Sequence, residues 1–371
     1  MKIDNIYILF VDDKNMGHHF FYADKVFQIL EQKSALTNWT YIGPENSFID
    51  KYKLNKFYIP NARQFATRNS ILQKIKLICN SINIGLFIRK KVSKLDKVNI
   101  LIEDYSVYEF FAIFLIGFLG KQKINFKIVH RYYYKYLSPH LTLTRIFFYL
   151  LKKINFNIKH FTDSDLLTDF WSVKLNEEVG TIPICTSCPH INFNYQIKKY
   201  KNPVLYFPGT LRDEKGKIFF DNLIEIESSK DKKNFTIMSS KNSFIKHQTN
   251  NISFIALENF LDDENYYITF NDADFVVLNY DPSRYKFSTS SIFIESILMG
   301  CIPIASRSSW MYYELCKFSL DKLCIDYKFN ETQLGFFRDE MPTEIIENLN
   351  RMQEKYKEFH SSDNFYNTLL R

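Results

Sequence analysis

A chain of 371 residues is longer than one ordinary core accommodates, so two domains are expected. Its composition, 46% hydrophobic and 24% charged, lies in the globular range and excludes a disordered or fibrous chain. The formal charge of +7 divides unevenly, +12 up to Tyr200 and −5 after it.

No secretory leader is read at the N-terminus, where Asp4, Asp12 and Asp13 interrupt the apolar residues. Asn5 to Val11 reads as a first buried strand, followed by the loop "DDKNMGHH" and a helix over Phe20 to Gln32. Lys97 to Asp104 is a second buried strand ending in two acids, with a helix predicted over Tyr105 to Leu119. Within that helix, the run Phe110 to Gly120 is apolar but too short to span a bilayer. Asn125 to His130 is a strand whose last residue is a histidine, and Leu141 to Lys153 is a basic amphipathic helix. Shorter strand, helix and strand signals follow in "IKHFT", "DSDLLTDFWSV" and "EVGTIPI".

The polar segment from Cys185 to Asn202 breaks this rhythm and marks a linker. It contains the one CxxC, "CTSCPH", with no second ligand pair spaced for zinc, so no metal site is expected. The six cysteines are thinly spread and read as reduced thiols. A second alternation then begins. Strands are predicted at Val204 to Gly209, Phe235 to Ser239, Ile252 to Ile255, Asp274 to Tyr280 and "IPIAS". Helices are predicted at Gly216 to Ser228, Asp263 to Asn271, after Ser291, and at Thr343 to Phe359. The alternation indicates two doubly wound α/β domains, 1–190 and 191–371, with a closing helix able to pack back on the first. Ligands of such sheets bind outside the carboxyl ends of the strands, so the loops after strands carry the candidates.

Two of those loops stand out. "PGTLRDEKG" begins at a strand end, and its Gly209 permits a tight turn. It sets Arg212 and Lys215 at the start of a helix, where cations oppose the helix dipole unless an anion lies between them. A surface turn of mixed charge is the bland alternative. "STSS", Ser288 to Ser291, opens a helix whose N–H groups suit a phosphate, or which is simply well capped. Glu295 lies inside that helix with Ser291, Ile292, Leu298 and Met299 as its helical neighbours and no cation among them. A carboxylate there is expected to face a cleft and accept hydrogen bonds from hydroxyls such as those of a ribose.

"GTLRDEKG" and "FIESILMGCIPIAS" together resemble the retaining nucleotide-sugar glycosyltransferases of family 4. That family keeps a Gly-x-x-x-x-Lys-Gly segment after a strand and a Glu-containing helix before Gly-x-Pro. The resemblance implies the GT-B fold, two Rossmann-like domains facing a central cleft. Carried over by position, Lys215 and Arg212 would hold the donor diphosphate. Gly209, Thr210, Ser290 and Ser291 would line it, and Glu295 would bind the ribose. In the first domain, "NMGHHF" resembles the family's glycine loop, implying that Gly17 gives backbone access. "KIVHR" resembles its strand-end histidine, implying that His130 contacts the transferred group. Asp13 and His19 are further catalytic candidates, with Asp12 and Glu103 as other acids for a general base. His18, Asp104 and Arg131 are candidates for acceptor contact.

Two positions depart from the family pattern: Phe287 stands where its first glutamate lies, and Thr210 stands at its usual arginine. The Gly-Cys-Ile-Pro wording is also similar to inverting enzymes of the fucosyltransferase and exostosin kind.

The reading implied is transfer of a sugar from a nucleotide-sugar to a growing, lipid-linked surface glycan, such as capsule or lipopolysaccharide O-antigen. It needs no cofactor and no metal, because side-chain cations can neutralise the diphosphate. Two acid-free basic stretches, Lys51 to Leu95 and Phe110 to Thr162, favour an anionic partner, here the membrane surface on its cytoplasmic face. No nucleic-acid module accompanies them. A nucleotide-sugar epimerase and a non-catalytic glycan- or membrane-binding subunit are the competing readings.

Overall fold

The computed structural model describes residues 4–12, 18–59, 63–64, 71–92, 95, 97–103, 105–120, 124–133, 138–154, 156–184, 186, 194–196, 202–228, 235–241, 252–258, 263–329, 337 and 340–370. The side chains of 18–21, 63–64, 71, 73, 119–120 and 263–264 lie outside that description. The chain forms two units, Met1–Cys185 with Ser362–Arg371, and Thr186–Ser361.

The strands of the first unit are β1 (Asp4–Ile8), β2 (Val11–Asp12), β3 (Trp39–Gly43), β4 (Asn55–Tyr58), β5 (Arg63–Gln64), β6 (Val98–Ile102), β7 (Ile124–Val129), β8 (Asn157–Thr162) and β9 (Val179–Thr181). Its helices are α1 (His18–Gln32), α2 (Ser47–Asp50), α3 (Ile71–Val92), α4 (Phe110–Gly120), α5 (Pro139–Lys153) and α6 (Asp165–Leu175). Seven strands join in the order β4-β3-β1-β6-β7-β8-β9, every pairing parallel. Successive strand side chains point to opposite faces, and both faces here are covered. Ile6 and Ile8 enter one core with Ile100, Ile102 and the inner sides of α3 and α4. Tyr7 and Leu9 enter the other with Leu101 and α1 residues Val26, Phe27 and Leu30.

The second unit repeats the plan with strands β10 (Val204–Phe207), β11 (Phe235–Ser240), β12 (Ile252–Leu257), β13 (Phe275–Leu278), β14 (Ile302–Ser306) and β15 (Cys324–Ile325). Its helices are α7 (Lys217–Ser228), α8 (Asp263–Asn271), α9 (Pro282–Tyr285), α10 (Ser291–Leu298), α11 (Trp310–Cys316) and α12 (Thr343–Phe359). The order β12-β11-β10-β13-β14-β15, again all parallel, is the doubly wound 3-2-1-4-5-6 pattern. Strand order reverses between β10 and β13 here, and between β1 and β6 in the first unit. Each reversal opens a crevice at the carboxyl edge of its sheet.

Several elements differ from the sequence expectation. The helix expected from Tyr105 starts at Phe110, because Glu109 turns back to accept from Ser106 N–H at 2.6 Å and holds residues 105–109 in a turn. β3 and β4 extend the first sheet beyond the strands the hydrophobic pattern picks out. The closing helix α12 stays in the second unit, where Gln353 Nε2 donates to the carbonyl of Ile297 at 2.9 Å. The segment after it joins the first unit: α13 (Ser362–Phe365) and a π-helical turn at Tyr366–Leu370. Phe365, Leu369 and Leu370 lie buried in the same core as Tyr7 and Phe27. Lys127 Nζ donates to the Leu369 carbonyl at 2.7 Å, and burial pulls that amine down to about 8.

Leu369→Ala is expected to destabilise the first unit by about 2–5 kcal/mol, the cost of an unfilled cavity at a fully buried leucine, read as a lower denaturant midpoint. An unchanged midpoint would mean that the returning segment contributes no stability.

Candidate functional site

The second unit's crevice is built by the loop after β10 and the residues after β13. Gly209 has φ +106°, and a Cβ added there would meet nothing within 4 Å, so the glycine serves the backbone turn alone. Gly216 has φ +71°, and a Cβ there would fall 2.4 Å from the Phe207 ring. Between these glycines the chain folds on itself, with Lys215 N–H donating to Arg212 O at 2.8 Å and Arg212 N–H to Lys215 O at 3.0 Å. The folded loop is seated on the end of β13 by Gly216 N–H to Asn279 O (2.9 Å) and Asp281 N–H to Glu214 O (3.0 Å).

Lys215 is the half-buried cation of this loop. Its Nζ lies 5.1 Å from the ring centroids of both Tyr280 and Tyr285, and it makes no ion pair among the described residues. Burial, reinforced by the Arg212 charge, lowers its pKa from the ordinary lysine value. Arg212 is exposed, with Glu214 Oε1 3.5 Å from its Nε. The two cations are close enough that the Arg212 charge disfavours protonated Lys215, while Glu214 is the carboxylate paired with Arg212, an arrangement suited to an anion. Thr210 and Gly209 are exposed beside them.

Ser290 is the N-cap of α10, its Oγ accepting from Phe293 N–H at 3.3 Å, and Ser291 is the first helical residue. Both are partly exposed. Glu295 differs from the expectation of a carboxylate turned to an open cleft. It is 4% exposed, and its Oε2 accepts from Tyr266 Oη of α8 at 2.7 Å. Burial together with this carboxylate raises the Tyr266 hydroxyl well above its usual value. An internal tyrosine therefore does what a ribose hydroxyl was expected to do. The helical neighbours of Glu295 could not reveal that partner, which lies 29 residues away.

The sequence reading missed a polar row at the carboxyl edge of β13 and β14. Asn279 Oδ1, Ser306 Oγ and Trp310 Nε1 are buried and lack a hydrogen-bond partner among the described residues. Asn279 follows Leu278 and Ser306 follows Ala305, which are paired in register. The advance signal was the position of Asn279 just after β13 and of Ser306 at the end of β14; Trp310, which opens α11, carried none.

In the first unit the carboxyl edge holds a buried polar cluster. Glu103 follows β6 and accepts from Tyr7 Oη at 2.6 Å, so it is engaged internally and is not an open general base. Arg131 follows β7, with Nη1 2.8 Å from Asp163 Oδ2, Nη2 3.8 Å from Glu103 Oε1, and its guanidinium 3.8 Å from the Tyr22 ring centroid. This ion-paired and largely buried position differs from the open acceptor contact expected. His130 is corrected likewise. It is 1% exposed, with Nδ1 2.5 Å from Tyr105 Oη and Nε2 2.8 Å from His160 Nδ1, and it stacks on Trp171. Both ring nitrogens are taken, and burial holds its pKa well below the usual value, so it is a satisfied structural histidine.

Asp12 lies in β2, paired with β5. His18 and His19 open α1, with their side chains outside the description, and Asp13, Gly17 and Asp104 lie outside the described residues, as do Cys185 and Cys188. No cluster of three or more His, Cys, Asp or Glu that could hold a metal occurs among the described residues.

No protein-family model matches the chain, and no curated protein matches it. Solved structures do. The chain covers 99% of itself and 97% of an α,α-trehalose 6-phosphate synthase from Burkholderia multivorans, with TM-score 0.63 and 8% identity. A structure described as trehalose-6-phosphate from E. coli bound with UDP-2-fluoro glucose gives 0.61 at 10% identity, over 99% of this chain and 98% of that one. The glycotransferase of kitacinnamycin gives 0.57 at 9% identity, over 96% of both chains. At such identities the likeness is one of fold: two parallel-sheet α/β domains of the GT-B kind.

His130 supplies a pH test. It is neutral in the native state, whereas an unfolded histidine takes a proton below about pH 6.5. The unfolded state then binds more protons, so this contribution is intact above about 6.5 and is lost as the pH falls. Denaturant unfolding between neutrality and pH 5 should show stability falling with a slope approaching about 1.4 kcal/mol per unit from this group. His130→Gln should flatten the slope; an equal slope in that variant refutes the assignment.

Proposed function

We propose that the protein is a glycosyltransferase that takes its sugar from a nucleotide-sugar. The observation that carries this reading is Lys215, a half-buried cation with no ion pair among the described residues, set beside Arg212 at the topological switch point of a doubly wound sheet. Donor diphosphate oxygens laid against Lys215 and Arg212 receive charge-assisted hydrogen bonds. Ser290, Ser291 and the first N–H groups of α10 add a dipole of the same sign. Glu295 binds the ribose by exchanging or sharing its Tyr266 bond. Likeness in fold to structures described as a glycotransferase and as a complex with a UDP-sugar supports this assignment.

The transfer we propose is retaining. The bond from the anomeric carbon to the diphosphate oxygen breaks, and the acceptor oxygen bonds to that carbon on the same face. The acceptor proton passes to the departing phosphate oxygen. Lys215 and Arg212 stabilise the charge developing on that leaving group, which is electrostatic catalysis without a protein base. Phe287 stands where the family keeps its first glutamate, and the charge stabilisation proposed here draws on the two cations alone. The acceptor is a growing, lipid-linked surface glycan of the capsule or O-antigen type, engaged on the first unit near Asp13, Gly17, His18, His19 and Asp104 at the inner face of the membrane.

A thermal-shift panel of nucleoside diphosphates tests the donor site. One of them should raise the melting temperature by mass action. Lys215→Ala should weaken its binding roughly 10- to 150-fold, the range for a hydrogen bond to a charged group. Binding should also fade as the pH rises through the lowered lysine pKa, earlier than an ordinary lysine would allow. No shift with any nucleotide, or unchanged affinity in Lys215→Ala, overturns the proposal.

A further inference from the structure

The exposed apolar surface of the described residues is concentrated on one layer. Of the eighteen large hydrophobic residues that stand exposed, eleven belong to α3, α4, α5 and Ile154, which caps α5. These helices form one continuous layer. A Cβ added at Gly85 of α3 would meet Ala112 of α4 at 2.9 Å, and Ser81 Oγ accepts from Ala112 N–H at 3.1 Å. Phe110 of α4 stacks on Phe147 of α5 at 4.1 Å between centroids.

Each outer helix carries an outward stripe as well as an inward one. On α5 the buried side is Leu141, Thr144, Phe148 and Leu151, while Leu143, Ile146 and Leu150 face outward, each more than half exposed. On α3, Leu72 is 71% and Ile75 53% exposed on the side away from Ile84 and Ile88. An amphipathic helix of a globular protein normally turns charge outward opposite its core face, and this layer turns leucine and isoleucine outward instead.

Charge identifies the occupant. α3 carries five Lys or Arg residues and α5 three, and none of the three helices contains an Asp or Glu. The cations ride over apolar rings, Lys91 Nζ at 4.2 Å from the Phe57 centroid and Lys153 Nζ at 5.4 Å from that of Tyr149. Both lysines are exposed, so their ammonium groups rest on aromatic faces at the surface rather than in the core. A second copy set symmetrically on this layer would oppose like charge with like. No helix among the described residues is long and apolar enough to cross a membrane, so the layer lies on a surface rather than through it.

We infer that the outward face of α3, α4 and α5 is a docking surface for an anionic phospholipid bilayer. Lys74, Lys76, Lys90, Lys91 and Lys153 meet the headgroup phosphates, and the leucine and isoleucine stripes enter the boundary beneath them. This inference deepens the membrane placement proposed above, yet it uses no residue of the second unit, so vesicle binding and nucleotide binding can fail separately.

Sedimentation of the full chain with vesicles tests it, using phosphatidylcholine alone or with one third phosphatidylglycerol. The protein should pellet with the anionic vesicles at low salt, release at high salt, and stay free of the neutral ones. Lys74→Glu with Lys76→Glu should weaken partitioning by at least about fivefold per lysine. Ile146→Ser with Leu150→Ser should weaken it roughly tenfold or more. All four side chains are exposed, so an unchanged melting temperature and an unchanged nucleotide shift will show that fold and donor site survive. Failure to pellet with anionic vesicles at low salt overturns the inference. So does a dimer in light scattering that the Ile146 and Leu150 changes dissociate, which would make a second copy the occupant.

Discussion

Two backbone hydrogen bonds, from Gly216 to Asn279 and from Asp281 to Glu214, fix the loop on which the candidate donor site depends. They tie the segment leaving β10 to the segment leaving β13 across the point where strand order reverses. Without that tie, Arg212 and Lys215 would sit on an ordinary exposed turn, and solvent would screen them. With it, Lys215 is drawn against Tyr280 and Tyr285 and partly stripped of water, so its charge is destabilised until an anion approaches. The glycines at either end serve this seating in different ways, Gly209 through its turn and Gly216 through the room it leaves Phe207.

The first unit handles its polar residues in the opposite manner. Glu103, His130, Arg131 and Asp163 all occupy the carboxyl edge of the sheet, where a ligand is expected, yet the structure pairs them with one another, with His160 of β8 and with Tyr7, Tyr22 and Tyr105. Buried ion pairs of this kind contribute little net stability against an apolar alternative. Their effect is to hold the ends of β6, β7 and β8 in one arrangement beneath the loops that follow. Those residues are a platform of mutually paired groups.

The two-unit α/β plan was legible because its strands are short apolar runs whose alternate residues feed two cores, as Ile6 and Tyr7 do in β1. β3 was not, since Trp39 to Gly43 is brief and flanked by polar residues, and its apolar character makes sense only beside β1. The loop from Gly209 to Gly216 was legible because glycine spacing and cations are local signals. Glu295 shows the limit. Helical spacing correctly excluded a capping box and a cation at i±4, yet the hydroxyl that satisfies it comes from another helix. His130 misled for a related reason: a histidine ending a strand reads the same whether it faces a substrate or, as here, Tyr105 and His160.

The return of Ser362–Leu370 to the first unit bears on how the molecule is made. The core around Tyr7 and Phe27 includes Phe365, Leu369 and Leu370, so a nascent chain that has completed the first 185 residues lacks three of its buried side chains. On a ribosome that unit waits, with an apolar gap beside α1, while the whole of the second unit is synthesised. A fragment ending at Cys185 would carry the same gap permanently. Dissecting the two units for separate study therefore requires the last ten residues to be grafted back onto the first.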